Sequence, residues 1–383
     1  MPDANESFAH LQAYADEPGE LLAQFAERCA AAGDWGRLFE ARLMQARLRL
    51  GLPIDCTLLA DRSAAVRDEL EKAYHEACVE AGEGLIAAGR PVDAWPYLKA
   101  AGEQQRISAA LRGVTPTEHD SEELIQLALH EGADPALGFR WLLEQSGTCN
   151  AVTTLDGLAG YLETDELRGC AEVLVGWLHR DLRDSIAAHI ERQEGAPPSG
   201  DDFAEWYEGR PWLFEHESSH VDASHLGSTV RWSRLMEDRP LLEEAVRLAD
   251  YGARLHESQR FPQPPPFEDA YTAHLLWLRA VLGDGVDQAV AYFRRQAKHA
   301  DEYARPACVE EYVNLLARCG RGGEALGELT KLVPADFPLP PGAPTPLELA
   351  RVSGAWDAYD RLVRQRGDVV GYAAGLIARR ADP

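Results

Sequence analysis

The period of the apolar positions constrains the fold of this chain more than any other feature. Apolar residues recur at the helical period of about 3.6 along almost the whole sequence, and the alternation typical of strands is nearly absent. Alanine, leucine, glutamate and arginine dominate, and these residues favour helices. The sequence therefore predicts an all-α fold.

Four segments repeat one local pattern, in which small residues precede a glycine, a short polar turn follows, and an apolar helix begins. Glycine ends a helix in the left-handed conformation at little steric cost, and the alanine that follows lets the next helix pack closely. We expect each segment to be the hinge of an antiparallel pair of helices. The four segments are Ala31–Leu38, Ala87–Ala94, Arg318–Ala325 and Val352–Tyr359.

These hinges resemble those of tetratricopeptide repeat proteins, in which a turn containing glycine precedes a helix with alanine at a crowded position. The resemblance covers about the first hundred and the last hundred residues, without an unbroken register of about 34 residues. It implies an irregular α-solenoid of antiparallel helical hairpins. Helical arrays of this kind offer a concave groove in which a peptide or a protein binds.

Proline-rich segments divide the chain. At 383 residues it exceeds the usual size of one compact core, so several lobes are expected. Residues 195–200, 260–266 and 334–346 are too rich in proline to continue a helix. These breaks predict an N-terminal helical-repeat region over 1–195, a central helical lobe over 201–333 and a C-terminal helical tail over 345–383.

The chain is strongly acidic. It has 38 lysines and arginines against 63 aspartates and glutamates, a formal net charge of −25, and no stretch that concentrates basic residues. Its summed field repels polyanions, so neither nucleic acid nor an anionic membrane is an expected partner. A basic or metallic partner would be attracted instead.

The sequence also predicts where the protein resides. None of its seven cysteines forms a C-x-x-C pair, which favours reduced and mostly buried thiols. The N-terminus lacks the features of a signal peptide, and no apolar run approaches the length of a membrane span. We therefore expect a cytoplasmic protein.

Chemistry is concentrated in residues 212–225, which contain three histidines. Within this segment, His216-Glu217-Ser218-Ser219-His220 matches the H-E-x-x-H pattern. In that pattern two histidines one helical turn apart bind one metal, and the glutamate activates a water. Five of the twelve histidines of the chain lie between His216 and His274, which strengthens the prediction of a metal site.

Two interpretations of this segment remain open. A helix that begins at Pro211 and runs through His220 would place His216 and His220 on one face, as zinc hydrolases require. Alternatively, Asp222 caps a new helix that runs to about Met236, and His220 and Asp222 form an H-x-D pair as in two-histidine, one-carboxylate iron sites. His225 lies five residues beyond His220 with no intervening glycine, whereas metzincin proteases have six with a glycine, which weakens the protease interpretation.

Each interpretation assigns roles to the same few residues. Glu217 would be the catalytic base of a zinc hydrolase, whereas an Fe(II) oxygenase would use His220 and Asp222 with His225 or His274. Arg231 and Arg234 would hold a substrate carboxylate. The candidate metal ligands are His216, His220, Asp222, His225 and His274.

Signals for other chemistry are weak. An amphipathic helix predicted from about Leu167 to Arg192 carries His179 and His189, and we interpret His179 as a surface or interface residue. The chain has no G-x-S-x-G elbow, Gly-rich phosphate loop or G-x-G-x-x-G fingerprint, which disfavours serine hydrolases, kinases and dehydrogenases.

Two classes of function therefore remain. The first is a helical-repeat metalloprotein, with a zinc hydrolase and an Fe(II) oxygenase as the two alternatives, that acts on a peptide or small substrate in the solenoid groove. The second is a non-catalytic tetratricopeptide-like scaffold for protein–protein interaction, in which the histidines are incidental.

Overall fold

The structure, a computed structural model, describes residues 4–55, 62–200, 202–215 and 219–381. This part of the chain contains 18 α-helices, a few short 3-10 and π-helical turns, and no strand. The predicted all-α fold is therefore confirmed, whereas the solenoid arrangement stays a prediction. None of the described helices combines the length and the apolar character that a bilayer span requires.

The helices pack into two compact units. Unit 1 consists of Met1–Ala151 and Gly157–Leu162, and unit 2 of Val152–Asp156 and Glu163–Pro383. Unit 1 holds the helices α1 (Ala4–Gln12), α2 (Pro18–Ala31), α3 (Trp35–Arg49), α4 (Ala64–Ala87), α5 (Pro91–Ala100), α6 (Gln104–Leu111), α7 (Ser121–Ile125) and most of α8 (Pro135–Leu158).

Unit 2 contains the longest helix and the region that the sequence singled out for chemistry. Most of its helices pack against the one or two that follow in the chain, around a single apolar core. They are α9 (Thr164–Glu194), α10 (Ala223–Trp232), α11 (Arg239–Arg254), α12 (Ala270–Val281), α13 (Val286–His299), α14 (Arg305–Arg318), α15 (Gly322–Leu332), α16 (Pro346–Ser353), α17 (Trp356–Gln365) and α18 (Val369–Ala381).

All four predicted hinges are turns between consecutive helices. Their glycines, Gly33, Gly89, Gly320 and Gly354, have φ angles of 67°, 72°, 72° and 69°. At each hinge the next helix begins two residues after the glycine. A side chain is strained at such positive φ angles, so these turns require glycine.

The predicted proline-rich breaks also interrupt helices. α9 ends at Glu194, residues 260–266 lie between α11 and α12, and residues 334–345 lie between α15 and α16, which begins at Pro346. All three breaks lie inside unit 2. The division into three regions that they suggested stays a prediction.

Close packing at two places depends on glycine. A Cβ atom at Gly84 of α4 would lie 2.4 Å from the ring of Trp35, and one at Gly252 of α11 would lie 2.2 Å from the ring of Tyr271. Real Cβ atoms do not approach other atoms so closely. The two aromatic rings line the two pockets described below, so glycine fixes a wall of each.

Candidate functional site

The segment around His220 is not one continuous helix. The turn that begins at Pro211 is a 3-10 turn that ends at Phe214, and Glu215 is extended with a ψ of 159°. Asp222 instead caps α10, because its carboxylate accepts hydrogen bonds from the backbone N–H groups of Ser224 and His225. The interpretation in which a new helix starts after Asp222 is confirmed. A helix from Pro211 through His220 was the wrong alternative.

Two of the predicted residues cannot be placed. His216 and Glu217 lie outside the described residues. The role of His216 as a metal ligand and that of Glu217 as a catalytic base therefore stay predictions.

His220 belongs to a hydrogen-bonded chain of three side chains. Its Nδ1 lies 2.8 Å from the hydroxyl of Tyr251 on α11, and its Nε2 lies 2.9 Å from Nδ1 of His189 on α9. The backbone N–H of His220 also donates to the Tyr251 oxygen, at 2.9 Å. Since that oxygen already accepts one bond, its proton is available to Nδ1, and Nε2 can then donate to His189.

Burial keeps His220 neutral. Burial, together with the neighbouring His189 and Arg192, lowers the pKa of His220 from 6.5 to about 4. The same burial raises the pKa of Tyr251 to about 12. His220 and Tyr251 are therefore both uncharged at neutral pH.

Neither partner of His220 could be found from local sequence spacing. His189 and Tyr251 each lie 31 positions away, in opposite directions. His189 was noted only as a residue of the helix predicted from about Leu167 to Arg192, which is confirmed as α9. No motif joins residues so far apart, because only the packing of α9 and α11 brings them together.

The other predicted ligands occupy separate surroundings. His225 lies in the first turn of α10, where its backbone N–H bonds to Asp222 and its carbonyl accepts from the Thr229 hydroxyl. His274 on α12 is 2 % exposed, stacks on Phe267 with ring centroids 4.0 Å apart, and donates from Nδ1 to the carbonyl of Ala270. Burial lowers the pKa of His274 to about 3, and Arg234 and Arg231 also lower it.

Within the described ranges, no three His, Cys, Asp or Glu side chains form a group that could hold a metal ion. His220, Asp222, His225 and His274 are therefore not gathered into one such group. A site that includes His216 stays a prediction, and no reaction step through a metal is derived from the described residues.

The two arginines predicted to bind a carboxylate have different partners. Arg231 donates from Nη2 to Oδ1 of Asp156 at 2.6 Å, and the same oxygen accepts from the indole N–H of Trp232 at 2.8 Å. Arg234 pairs with Glu311, and its guanidinium lies 4.3 Å from the centre of the Phe267 ring. Arg231 lines a pocket, whereas Arg234 is not part of that lining.

A pocket of about 310 Å³ lies beside α10 in unit 2. One wall is a face of α10 with small side chains, formed by Ala223, Ser224, Gly227 and Ser228. We call it the α10 pocket. The remainder of its lining is Asp156, Arg231, Phe261, Gln263, Ala270 and Tyr271.

A larger groove of about 960 Å³ lies in unit 1, and no sequence motif marks its position. Residues of α2, α3 and α5 form most of its walls, together with the two hinge turns that precede α3 and α5. We call it the unit 1 groove. Its apolar lining includes Phe8, Phe25, Trp35, Val92, Pro96 and Tyr97.

The charged lining of the unit 1 groove carries an excess of positive charge. It contains three arginines and two aspartates. Arg37 pairs with Asp34 at 2.9 Å, and Arg90 pairs with Asp93 at 2.7 Å. Arg28 has no ion pair with any residue that the structure describes, so its charge is available to a ligand.

No family model matches the sequence, and comparisons with curated proteins and with solved structures also find no match.

Proposed function

We propose that the protein is a helical-repeat binding protein whose unit 1 groove holds a segment of another protein. The proposal rests on the size and lining of this groove. Its volume of about 960 Å³ is near the upper end of the range typical of sites for drug-sized ligands. Aromatic side chains line it, and aromatic residues are enriched where proteins bind proteins.

The lining favours a partner of defined chemistry. Trp35 and Tyr97 offer apolar rings against which an aliphatic or aromatic side chain can pack. The Arg28 guanidinium can accept a carboxylate as a bidentate partner. The preferred partner is therefore a peptide segment in which an apolar side chain lies next to an acidic one.

The packing order of the helices supports the same function. Each helix from α2 to α5 contacts the next helix in the chain, and glycine hinges separate α2 from α3 and α4 from α5. Arrays in which each hairpin contacts only its neighbours present long binding surfaces.

A metal-dependent activity is the second candidate, and one observation favours it. The imidazole of His220 is neutral, which is the form that binds a metal, and the Tyr251 hydroxyl fixes its orientation as outer-shell partners do in metal sites. Its Nε2 already faces a second imidazole nitrogen on His189. A third donor is required, and of the predicted ligands only His216 lies outside the described residues, among which no group of three forms.

Peptide display tests the docking function directly. A random peptide library is selected against the full chain, and enriched peptides are measured by fluorescence anisotropy on wild type, Arg28→Glu, Tyr97→Ala and Arg67→Glu. Arg67 is exposed on α4 and does not line the groove, so its variant is the matched charge control. We expect acidic, apolar peptides whose affinity falls at least about tenfold in the first two variants and not in the third.

Other outcomes contradict the proposal. Peptides that bind Arg28→Glu and Tyr97→Ala as tightly as wild type occupy another surface. A selection that enriches no peptide shows that the groove does not bind extended segments.

A further inference from the structure

The α10 pocket has polar groups that no described residue satisfies. The Ser228 hydroxyl and the Gln263 side-chain amide line it and form no hydrogen bond with any described residue. Arg231 uses only Nη2 in its ion pair with Asp156, so several of its N–H groups stay open to a ligand. Convergent polar groups in a concave pocket are typical of a small-molecule site.

Two opposite charges lie side by side in this lining. Oδ1 of Asp156 accepts from both Arg231 and Trp232, which holds the carboxylate in place. No described residue bonds to Oδ2 of Asp156, which leaves that oxygen as an acceptor. The pocket therefore offers a cation and an anion that are in contact with each other, and each keeps hydrogen-bonding atoms that this contact does not use.

The N-terminus of α10 does not act as an anion site in this pocket. The Asp222 carboxylate already accepts the N–H groups of Ser224 and His225. An anion therefore has no open helix terminus to bind here. The lining carries one positive and one negative side chain, so neither a simple anion nor a simple cation is favoured.

We propose that the α10 pocket binds the zwitterionic headgroup of an α-amino acid, with its carboxylate on Arg231 and its ammonium group on Asp156. This inference is independent of the docking groove, which lies in unit 1. Ser228 and Gln263 supply further hydrogen bonds. Phe261, which is 55 % exposed, and Tyr271 supply apolar surface for the side chain of the ligand.

The size of the pocket agrees with such a ligand. A volume of about 310 Å³ is at the small end of the range for small-molecule sites. Gly227 keeps the wall open, because a Cβ atom there would extend toward the Tyr271 hydroxyl, at 3.7 Å. The small side chains of α10 therefore create space that larger ones would fill.

Saturation-transfer NMR with the full chain tests the proposal. The probes are L-phenylalanine, L-leucine and L-glutamine, compared with 3-phenylpropionate, which has only the carboxylate, and 2-phenylethylamine, which has only the ammonium group. We expect at least one amino acid to bind and both single-charge analogues to bind at least about tenfold more weakly than L-phenylalanine or not at all.

Variants locate the binding site. Arg231→Met and Asp156→Asn should each weaken the amino acid at least about tenfold, whereas Arg239→Met, an exposed arginine of α11 outside the pocket, should leave it unchanged. Asp156→Asn keeps the shape of the side chain, so it remains informative if Arg231→Met does not fold. Circular dichroism establishes which variants are folded.

Three results overturn the proposal. One is that none of the three amino acids binds. Another is that either single-charge analogue binds as tightly as L-phenylalanine, because one of the two charges is then not recognised. The third is that binding survives in Asp156→Asn and Arg231→Met, because the ligand is then elsewhere.

Discussion

At the scale of single residues, buried histidines shape the response of the protein to pH. His179, interpreted from the sequence as a surface or interface residue, has a side chain that is only 16 % exposed. Burial lowers the pKa of His179 and His220 to about 4 and that of His274 to about 3, from 6.5. Between these values and 6.5, the unfolded chain binds more protons than the folded one. The contribution of these histidines to the free energy of unfolding should therefore be fully present above about pH 6.5 and should decline as the pH falls toward 4.

His274 allows this decline to be assigned, because its Nε2 is buried without a hydrogen-bond partner among the described residues. The variant His274→Phe removes one titrating group. We expect its unfolding free energy to fall less steeply below pH 6.5, by about 1 kcal/mol per pH unit relative to wild type. Urea unfolding at a series of pH values measures this. The control is His119→Gln, a substitution of an exposed histidine. Equal slopes in wild type and His274→Phe would show that His274 does not titrate with folding.

Metal analysis tests the prediction made from the H-E-x-x-H segment. If the metal-dependent candidate holds, protein purified without chelator contains near-stoichiometric zinc or iron, which is lost in His220→Ala and retained in His119→Ala, because His220 is the predicted ligand whose Nε2 faces a second imidazole on His189. Inductively coupled plasma mass spectrometry measures the content. Wild-type protein that takes up neither metal on reconstitution would remove the metal-dependent candidate.

At the scale of helices, glycine decides how closely neighbours pack. Gly84 lets α4 lie against Trp35, which lines the unit 1 groove. We expect Gly84→Ala to destabilise the protein by about 1–3 kcal/mol, because overpacking exceeds the gain of up to about 1 kcal/mol in helix propensity. Thermal unfolding measures the effect.

Gly157→Ala is the matched control for this substitution. Gly157 lies in α8, and a Cβ atom there meets nothing within 4 Å. Its substitution should be neutral or stabilising, by up to about 1 kcal/mol. If Gly84→Ala behaves in the same way, Trp35 has room to move and the wall of the groove is not fixed by glycine.

At the scale of the whole molecule, the net charge of −25 acts against compactness. Salt screens this repulsion, since the Debye length falls to about 8 Å at physiological ionic strength. We expect added sodium chloride to raise the melting temperature. Each gain of about 1 kcal/mol in the free energy of unfolding corresponds to a rise of roughly 2–4 °C. Differential scanning fluorimetry at increasing salt measures this. A melting temperature that falls with salt would mean that ion pairs such as Arg42–Glu80 outweigh the repulsion.

The sequence by itself determined the helical class and the four glycine hinges, and it offered the cap of α10 at Asp222 as one of two alternatives. These depend on chemistry within a few residues, such as a left-handed glycine or a carboxylate that meets the next N–H groups. The tertiary structure alone decided which side chains meet. The contact of His220 with His189 and Tyr251 spans 31 positions each way, and Arg231 reaches Asp156 across 75. Such contacts arise only when distant helices pack, because no local pattern encodes which faces will touch.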